Sequence, residues 1–109
     1  AMSLDDTTFA RTADDTLETF MDVIEEALGD QADVDLEGGI LTIELDVGGE
    51  YVINKHAPNK QIWMSSPKSG ATHFDYTDDR WTCTRSGRFL DEMLSEELGA
   101  LSGKVIDLG

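Results

Sequence analysis

The hydrophobic pattern at the start of the chain predicts one long helix over residues 4–28. At about 100° per residue, the apolar side chains fall within an arc of roughly 100°. They are Ala13, Leu17, Phe20, Met21, Ile24 and Leu28. An adjacent arc of roughly 120° carries six carboxylates, namely Asp14, Asp15, Glu18, Asp22, Glu25 and Glu26. The helix should therefore bury one face and expose a negative one, and Gly29 is its natural end.

After Gln31 the hydrophobic period changes to two, which predicts a series of short strands. The predicted strands are Asp33–Leu36, Ile40–Asp46, Tyr51–Lys55, Gln61–Ser65, Thr72–Tyr76 and Trp81–Arg85. Turn signals such as Gly38-Gly39 and Gly48-Gly49 separate them. Connections this short favour an antiparallel meander.

A helical pattern returns near the end of the chain. Ser86 is the predicted N-cap and Gly99 the predicted end. The apolar stripe between them consists of Phe89, Leu90, Met93, Leu94 and Leu98. Helix, five or six strands, and helix, each with one apolar face, predict an α+β two-layer sandwich. We expect residues 1–109 to form a single domain.

Strand parity assigns the two tryptophans to opposite environments. Trp63 alternates with Gln61 and Ser65, which predicts an exposed indole that contacts a partner, although a later element could also cover it. Trp81 shares its face with Cys83 and should be buried. Because Cys83 is the only cysteine, the chain offers no disulfide framework, and we expect a buried, inert thiol in a reducing compartment.

Charge limits the partners that the protein can bind. The formal net charge is -15, from 23 acidic against 8 basic residues. This charge repels nucleic acid and anionic lipid and favours cations or basic protein surfaces. The sequence also lacks an apolar run near 18 residues, so we expect no membrane span.

The carboxylates from Asp14 to Glu26 have no lysine or arginine between them, and the acidity continues through Asp33 and Asp35. Oxygen ligands suit hard cations, including ferric iron. The acidic face of a helix is convex and cannot enclose a metal ion. We therefore expect cation binding here to be weak, hydrated and distributed over several sites. The alternative is a solvated face without a ligand.

Enzymatic motifs are scarce. His56 and His73 are the only histidines and lack metal-ligand spacing, and no glycine-rich phosphate loop is present. A lone surface histidine is more often incidental than a ligand. Ser65 and Ser66 precede Pro67, which favours a turn over a nucleophile.

Residues 51–70, YVINKHAPNKQIWMSSPKSG, resemble the central signature of the frataxin family, whose bacterial members are called CyaY. His56 replaces the usual glutamine, and Lys68 and Ser69 lie in the variable linker. The similarity extends to the acidic first helix, the His73-Phe74-Asp75 strand and the Ser86-Gly87 segment. It implies a frataxin-like fold with both helices on one side of an antiparallel sheet.

The resemblance also implies two functional surfaces. Iron, ferrous or ferric, would bind weakly at several sites along an acidic ridge, as other hard divalent or trivalent cations could. The ridge comprises Asp14, Asp15, Glu18, Asp22, Glu25, Glu26, Asp33 and Asp35, and it would also contact a cysteine desulfurase. An iron–sulfur scaffold protein would contact a sheet-face set of Asn54, Lys55, Asn59, Lys60, Gln61 and Trp63, with His73 as a further polar contact.

The function implied is iron binding in iron–sulfur cluster assembly, modulating or supplying iron to the desulfurase–scaffold complex. Two alternatives remain: a ferroxidase that stores iron on the same ridge, and an acidic docking module whose metal binding is incidental. We expect a monomer, with an iron-dependent oligomer possible. His73 favours a bacterial, cytoplasmic protein, whereas the SSPxSG form of the loop is mitochondrial-like and would suit the mitochondrial matrix.

Overall fold

Six strands pair in chain order beneath two helices in the computed structural model, which describes residues 4–109. Helix α1 covers Asp6–Leu28 and is followed by a short 3-10 helix, Gly29–Gln31. The strands are β1 (Ala32–Glu37), β2 (Ile40–Leu45), β3 (Glu50–His56), β4 (Gln61–Ser66), β5 (Gly70–Thr77) and β6 (Arg80–Cys83), and helix α2 covers Leu90–Ser102. Every neighbouring pair of strands is antiparallel. The predicted meander is confirmed, with β1 and β6 at its edges. Residues 1–3 of the predicted domain lie outside the described part.

The core lies between the helices and one face of the sheet. Alternate strand residues such as Leu41, Ile53 and Phe74 are fully buried there, in a cluster that also contains side chains of both helices. The predicted inward face of α1 is also confirmed, except that Met21 is only half-buried. The strand residues that alternate with these buried ones line the side of the sheet away from the helices, which we call the open face. These include Ile40, Asn54, His56, Gln61, Trp63, His73 and Asp75. No helix within residues 4–109 has the length and hydropathy needed to cross a membrane.

Helix α2 starts and ends later than its sequence pattern predicts. Residues after Cys83 form a turn in which the Cys83 N–H donates to Arg88 O at 2.7 Å. Ser86 belongs to this turn, where its hydroxyl accepts the Arg88 N–H at 3.2 Å, so the predicted N-cap is wrong. The same turn ends β6 at Cys83 instead of Arg85. Gly99 lies inside the helix, which runs to Ser102 and is capped by Gly103 in the left-handed conformation, φ 73°.

The Cys83 thiol is buried, as predicted. Burial raises the pKa of this thiol, but hydrogen bonds from Ser86 and from the neighbouring backbone N–H groups outweigh that effect and lower the pKa below its ordinary value. The Ser86 N–H lies 3.4 Å from the sulfur.

A buried hydrogen-bond network joins α2 to the sheet. The Glu97 carboxylate, 8% exposed, accepts hydrogen bonds from the Tyr51 hydroxyl at 2.8 Å and the Ser66 hydroxyl at 2.5 Å. Ser66 Oγ in turn accepts the N–H groups of Lys68 and Ser69 at 3.0 Å. Burial, followed by the bond to Glu97, raises the pKa of Tyr51. The network therefore fixes the loop between β4 and β5 against the second helix.

Candidate functional site

Trp63 lies at the centre of the open face, between two imidazoles. The strand register places Trp63 beside Asn54 on β3 and beside His73 on β5. The ring of His56 stacks on the indole with centroids 3.5 Å apart and planes 9° apart. The ring of His73 stacks on the opposite side at 4.1 Å and 8°. Both faces of the indole are therefore covered, and we call this arrangement the imidazole clamp.

Hydrogen bonds fix the orientation of the same indole. Trp63 Nε1 donates to Gln61 Oε1 at 2.8 Å. Gln61 Nε2 donates to Asp75 Oδ1, also at 2.8 Å. Ile62 and Met64 are buried on the other side of β4, so the parity prediction for Trp63 is confirmed. The predicted exposure is not, because the indole is half-buried between its neighbours.

The structure separates the predicted partner contacts into two groups. Asn54, Gln61, Trp63 and His73 lie together on the open face, and Asn59 lies in the exposed turn after β3.

Lys55 and Lys60 are not part of the open face. Lys55 has the parity of the buried Ile53, so it points to the helix side and forms a 2.9 Å ion pair with Asp14. Lys60 Nζ donates to Leu4 O at 2.7 Å and lies 3.7 Å from Asp6 Oδ1. Their predicted placement on the sheet face is wrong: both lysines hold the beginning of α1.

Two residues of the site were missed by sequence reasoning. His56 was considered incidental and Asp75 was not considered, yet one covers the indole and the other anchors Gln61. The alternation of side chains along each strand could have identified both residues, since His56 lies on the same face as Asn54, and Asp75 lies on the same face as His73. The pairing between strands was also required, because His56 reaches Trp63 diagonally from its position opposite Gln61.

The acidic ridge is less uniform than the sequence suggests. Five of its helical carboxylates are exposed, namely Asp15, Glu18, Asp22, Glu25 and Glu26. None of these five forms a salt bridge within residues 4–109. Asp14 differs, because it is paired with Lys55, so the expectation of unpaired carboxylates is wrong at this position.

Asp33 and Asp35 lie on the edge strand β1, where they alternate with Val34 and Leu36, which pack against the core. Their side chains therefore point away from the helices. The ridge is divided by the β1 edge, with six carboxylates on α1 and two on the far side of the strand.

The donor geometry fits dispersed cation binding better than a chelating centre. Within residues 4–109 no group of three His, Cys, Asp or Glu side chains is placed to hold a metal ion together. The two imidazoles also cannot share an ion, because the indole lies between them. Exposed carboxylates spaced along a helix can each bind a hydrated hard cation through one or two oxygens.

Comparisons with known proteins decide the family. The profile of the frataxin-like domain matches residues 2–104. The chain belongs to the frataxin-like family. The mitochondrial frataxin homolog of Saccharomyces cerevisiae is 42% identical over 90 residues, covering 79% of this chain and 52% of the relative. The iron-sulfur cluster assembly protein CyaY of Vibrio parahaemolyticus is 39% identical over 90 residues, covering 80% of this chain and 86% of the relative. The chain spans about half the length of the yeast relative.

Solved frataxin structures share the fold. The frataxin of Psychromonas ingrahamii superposes with a TM-score of 0.86 at 28% identity, covering 97% of this chain and 99% of that one. Trimeric yeast frataxin, complexed with ferrous iron, gives 0.77 at 41% identity, covering 85% and 87%. The resemblance to the frataxin family and the predicted two-layer fold are therefore confirmed. The roles assigned to individual residues remain predictions.

Proposed function

We propose that this frataxin-like protein binds iron and acts in iron–sulfur cluster assembly, modulating or supplying iron to a cysteine desulfurase–scaffold complex. The observation that carries the proposal is the imidazole clamp, which holds Trp63 in one orientation on the sheet face opposite the two helices of residues 4–109. A large aromatic residue fixed on a surface is typical of an interface hot spot. The CyaY relative, named an iron-sulfur cluster assembly protein, supports the same conclusion.

The acidic ridge is the proposed site for iron. Its five exposed helical carboxylates have no salt-bridge partner within residues 4–109, so a cation or a basic protein surface would relieve their mutual repulsion. We assign weak ferrous or ferric iron binding to the helical residues, with Asp33 and Asp35 as a separate group across the β1 edge. The desulfurase would contact the same ridge and compete with the metal.

The open face is the proposed site for the scaffold protein, through Asn54, Gln61, Trp63 and His73, with Asn59 at its margin. Lys55 and Lys60 would act indirectly, by holding α1 against the sheet. Because the named relatives are bacterial CyaY proteins and mitochondrial frataxins, we propose the bacterial cytoplasm or the mitochondrial matrix, according to the source.

Cysteine desulfurase activity tests the proposal directly. The desulfurase and scaffold of the source organism are assayed with and without this protein, and with and without ferrous iron. We expect the rate to change when the protein is added, and Trp63→Ala to abolish most of that change. A rate that stays the same under all four conditions contradicts the proposed function.

The position of iron can be mapped by paramagnetic broadening of amide NMR signals. Broadening should begin around residues 14–26, and the combined substitution of Glu18→Gln and Asp22→Asn should reduce it. The diamagnetic ion Mg²⁺ provides the control for simple charge effects. Broadening centred on His56 and His73, with the helix unaffected, would show that the assignment to the ridge is wrong.

A second candidate function is ferroxidase activity with iron storage in an oligomer. The trimeric yeast frataxin structure complexed with ferrous iron favours this candidate. Oxygen consumption and oligomer formation on addition of ferrous iron would support this candidate. Iron binding with neither oxygen consumption nor oligomer formation would favour the role in cluster assembly instead. A plain docking module would keep its affinity for the complex when iron is chelated.

A further inference from the structure

The imidazole clamp limits which part of Trp63 a partner can reach. His56 and His73 cover the two faces at 3.5 Å and 4.1 Å, with their planes within 9° of the indole. The indole N–H is occupied by Gln61. With both faces stacked and the N–H paired, the carbon edge is the part of the ring that remains for a partner.

The accessible edge determines the chemistry of the contact. An aromatic ring is electron-rich on its faces and electron-poor at its edge. A guanidinium or ammonium group binds over a face, and neither face is available here. An electron-rich group suits the exposed edge, and the face of a partner's aromatic ring fits it in the edge-to-face arrangement.

The neighbouring residues favour the same occupant. Ile40, Asn54, Trp63 and His73 form one row across β2, β3, β4 and β5. From β2 to β5 this row contains no carboxylate, and Ile40 is 45% exposed, so it offers apolar surface beside the indole; Glu37 on β1 pairs with Ile40 and ends the row. The carboxylates of the open face, such as Glu37, would repel a partner carboxylate, so the electron-rich group should be a neutral one.

We propose that Trp63 is a preset, edge-on contact for an aromatic side chain of the partner, and that His56 and His73 determine this specificity by closing both indole faces. The inference rests on the proposed function, because it describes how the open face recognises its partner.

Asp75 is a positioning residue in this arrangement. A glutamine side chain can present either its oxygen or its NH₂ group, and only the oxygen can accept the Trp63 N–H. The Asp75 carboxylate is an acceptor, so it binds Gln61 Nε2 and directs Gln61 Oε1 towards the indole. Asp75 therefore orients Trp63 through one intervening side chain.

Fluorescence quenching of the free protein tests the clamp without any partner. In a Trp81→Phe background Trp63 is the only indole, and acrylamide reports its accessibility. His73→Ala and His56→Ala should each increase quenching by uncovering a face, whereas His73→Phe should keep it low, since a phenyl ring can replace the imidazole. Unchanged quenching in both alanine variants would overturn the clamp.

Binding to the desulfurase–scaffold complex, measured by calorimetry, tests the edge-on contact. His73→Ala should weaken binding about three- to tenfold, and His73→Phe should restore it. Equal or tighter binding by His73→Ala would show that the partner uses an indole face, which overturns the inference but not the proposed function. A wild-type protein that fails to bind would contradict the proposed function itself, and the quenching result distinguishes the two cases.

Asp75 variants test the positioning role. Asp75→Ala and Asp75→Asn remove the same charge, but only asparagine keeps an oxygen that accepts the Gln61 N–H. Hydrogen exchange of the Trp63 indole N–H should accelerate in Asp75→Ala and return close to the wild-type rate in Asp75→Asn. Equal acceleration in both variants would show that the charge of Asp75, and not its hydrogen bond, is responsible.

Discussion

The two tryptophans lie on opposite faces of one sheet and are held in different ways. Trp81 is 6% exposed and meets its aromatic neighbours at steep angles, 79° to Phe9 and 55° to Tyr76. Its Nε1 donates to Thr16 Oγ1 on α1 at 3.0 Å. Trp63 is half-buried and lies nearly parallel to two imidazoles from adjacent strands.

This difference follows from what covers each face. Helix α1 covers Trp81, and its neighbours come from this helix and from β5, so they approach the ring from different directions. Within residues 4–109 no helix covers Trp63, and its cover comes from side chains of the neighbouring strands that lie beside it on the sheet. The first arrangement stabilises the fold, whereas the second keeps an aromatic ring in a fixed position at the surface.

The largest expected effect is on stability. Trp81→Ala should destabilise the protein by about 3–5 kcal/mol, because it leaves a cavity in the core. Trp63→Ala should cost about 1 kcal/mol, since it removes stacking contacts at a half-buried site. Urea denaturation of both variants measures the two free energies of unfolding. A larger loss for Trp63→Ala would contradict the comparison.

Partner binding should show the reverse order. Trp63→Ala should weaken binding to the desulfurase–scaffold complex by about 2 kcal/mol or more, as expected for a hot-spot tryptophan. Trp81→Phe, which keeps an aromatic ring in the core, is the matched control and should bind like the wild type. Calorimetry with the assembled complex measures both affinities. If the core variant lost as much affinity as Trp63→Ala, the open face would not be the specific contact.

Much of the fold could be predicted from periodicity, because burial repeats every two residues in strands and about every 3.6 in helices. The same rule identified the faces of both tryptophans. It failed at the start of α2, where Ser86 caps a local turn instead of the helix.

Contacts between elements were harder to predict. The imidazole clamp depends on strand register, and the Lys55–Asp14 pair depends on where α1 crosses the sheet, neither of which periodicity determines. The resemblance supplied the acidic ridge and the open-face residues as candidates, and their roles remain predictions. It could not supply the clamp, because His56 departs from the family signature.

The two faces also offer a comparison of hydrogen bonds of equal length. The Tyr51–Glu97 bond is buried and the Gln61–Asp75 bond is exposed, and both measure 2.8 Å. Glu97→Ala should destabilise the protein by about 1–3 kcal/mol, because it leaves buried hydroxyls without a partner. Asp75→Ala should change stability by no more than about 0.5 kcal/mol. Thermal and urea denaturation measure the loss of stability in each variant. Equal losses in the two variants would contradict this explanation.

The smallest expected effect separates paired from unpaired carboxylates on α1. Asp22 has acidic neighbours at Glu18, Glu25 and Glu26, so Asp22→Asn should stabilise the protein by a few tenths of a kcal/mol. Asp14→Asn should instead destabilise it by a similar amount, since it removes the ion pair with Lys55.

Urea denaturation at low and moderate NaCl concentrations measures both effects. The two substitutions remove the same charge from the same helix, so a general reduction of net charge would stabilise both variants. Opposite signs at low salt, each decreasing as salt screens the charges, would show that Lys55 neutralises the beginning of the ridge while the carboxylates beyond it repel one another. Stabilisation by both substitutions would mean that the Lys55 pair contributes nothing measurable, and that the whole helical ridge is available to a cation.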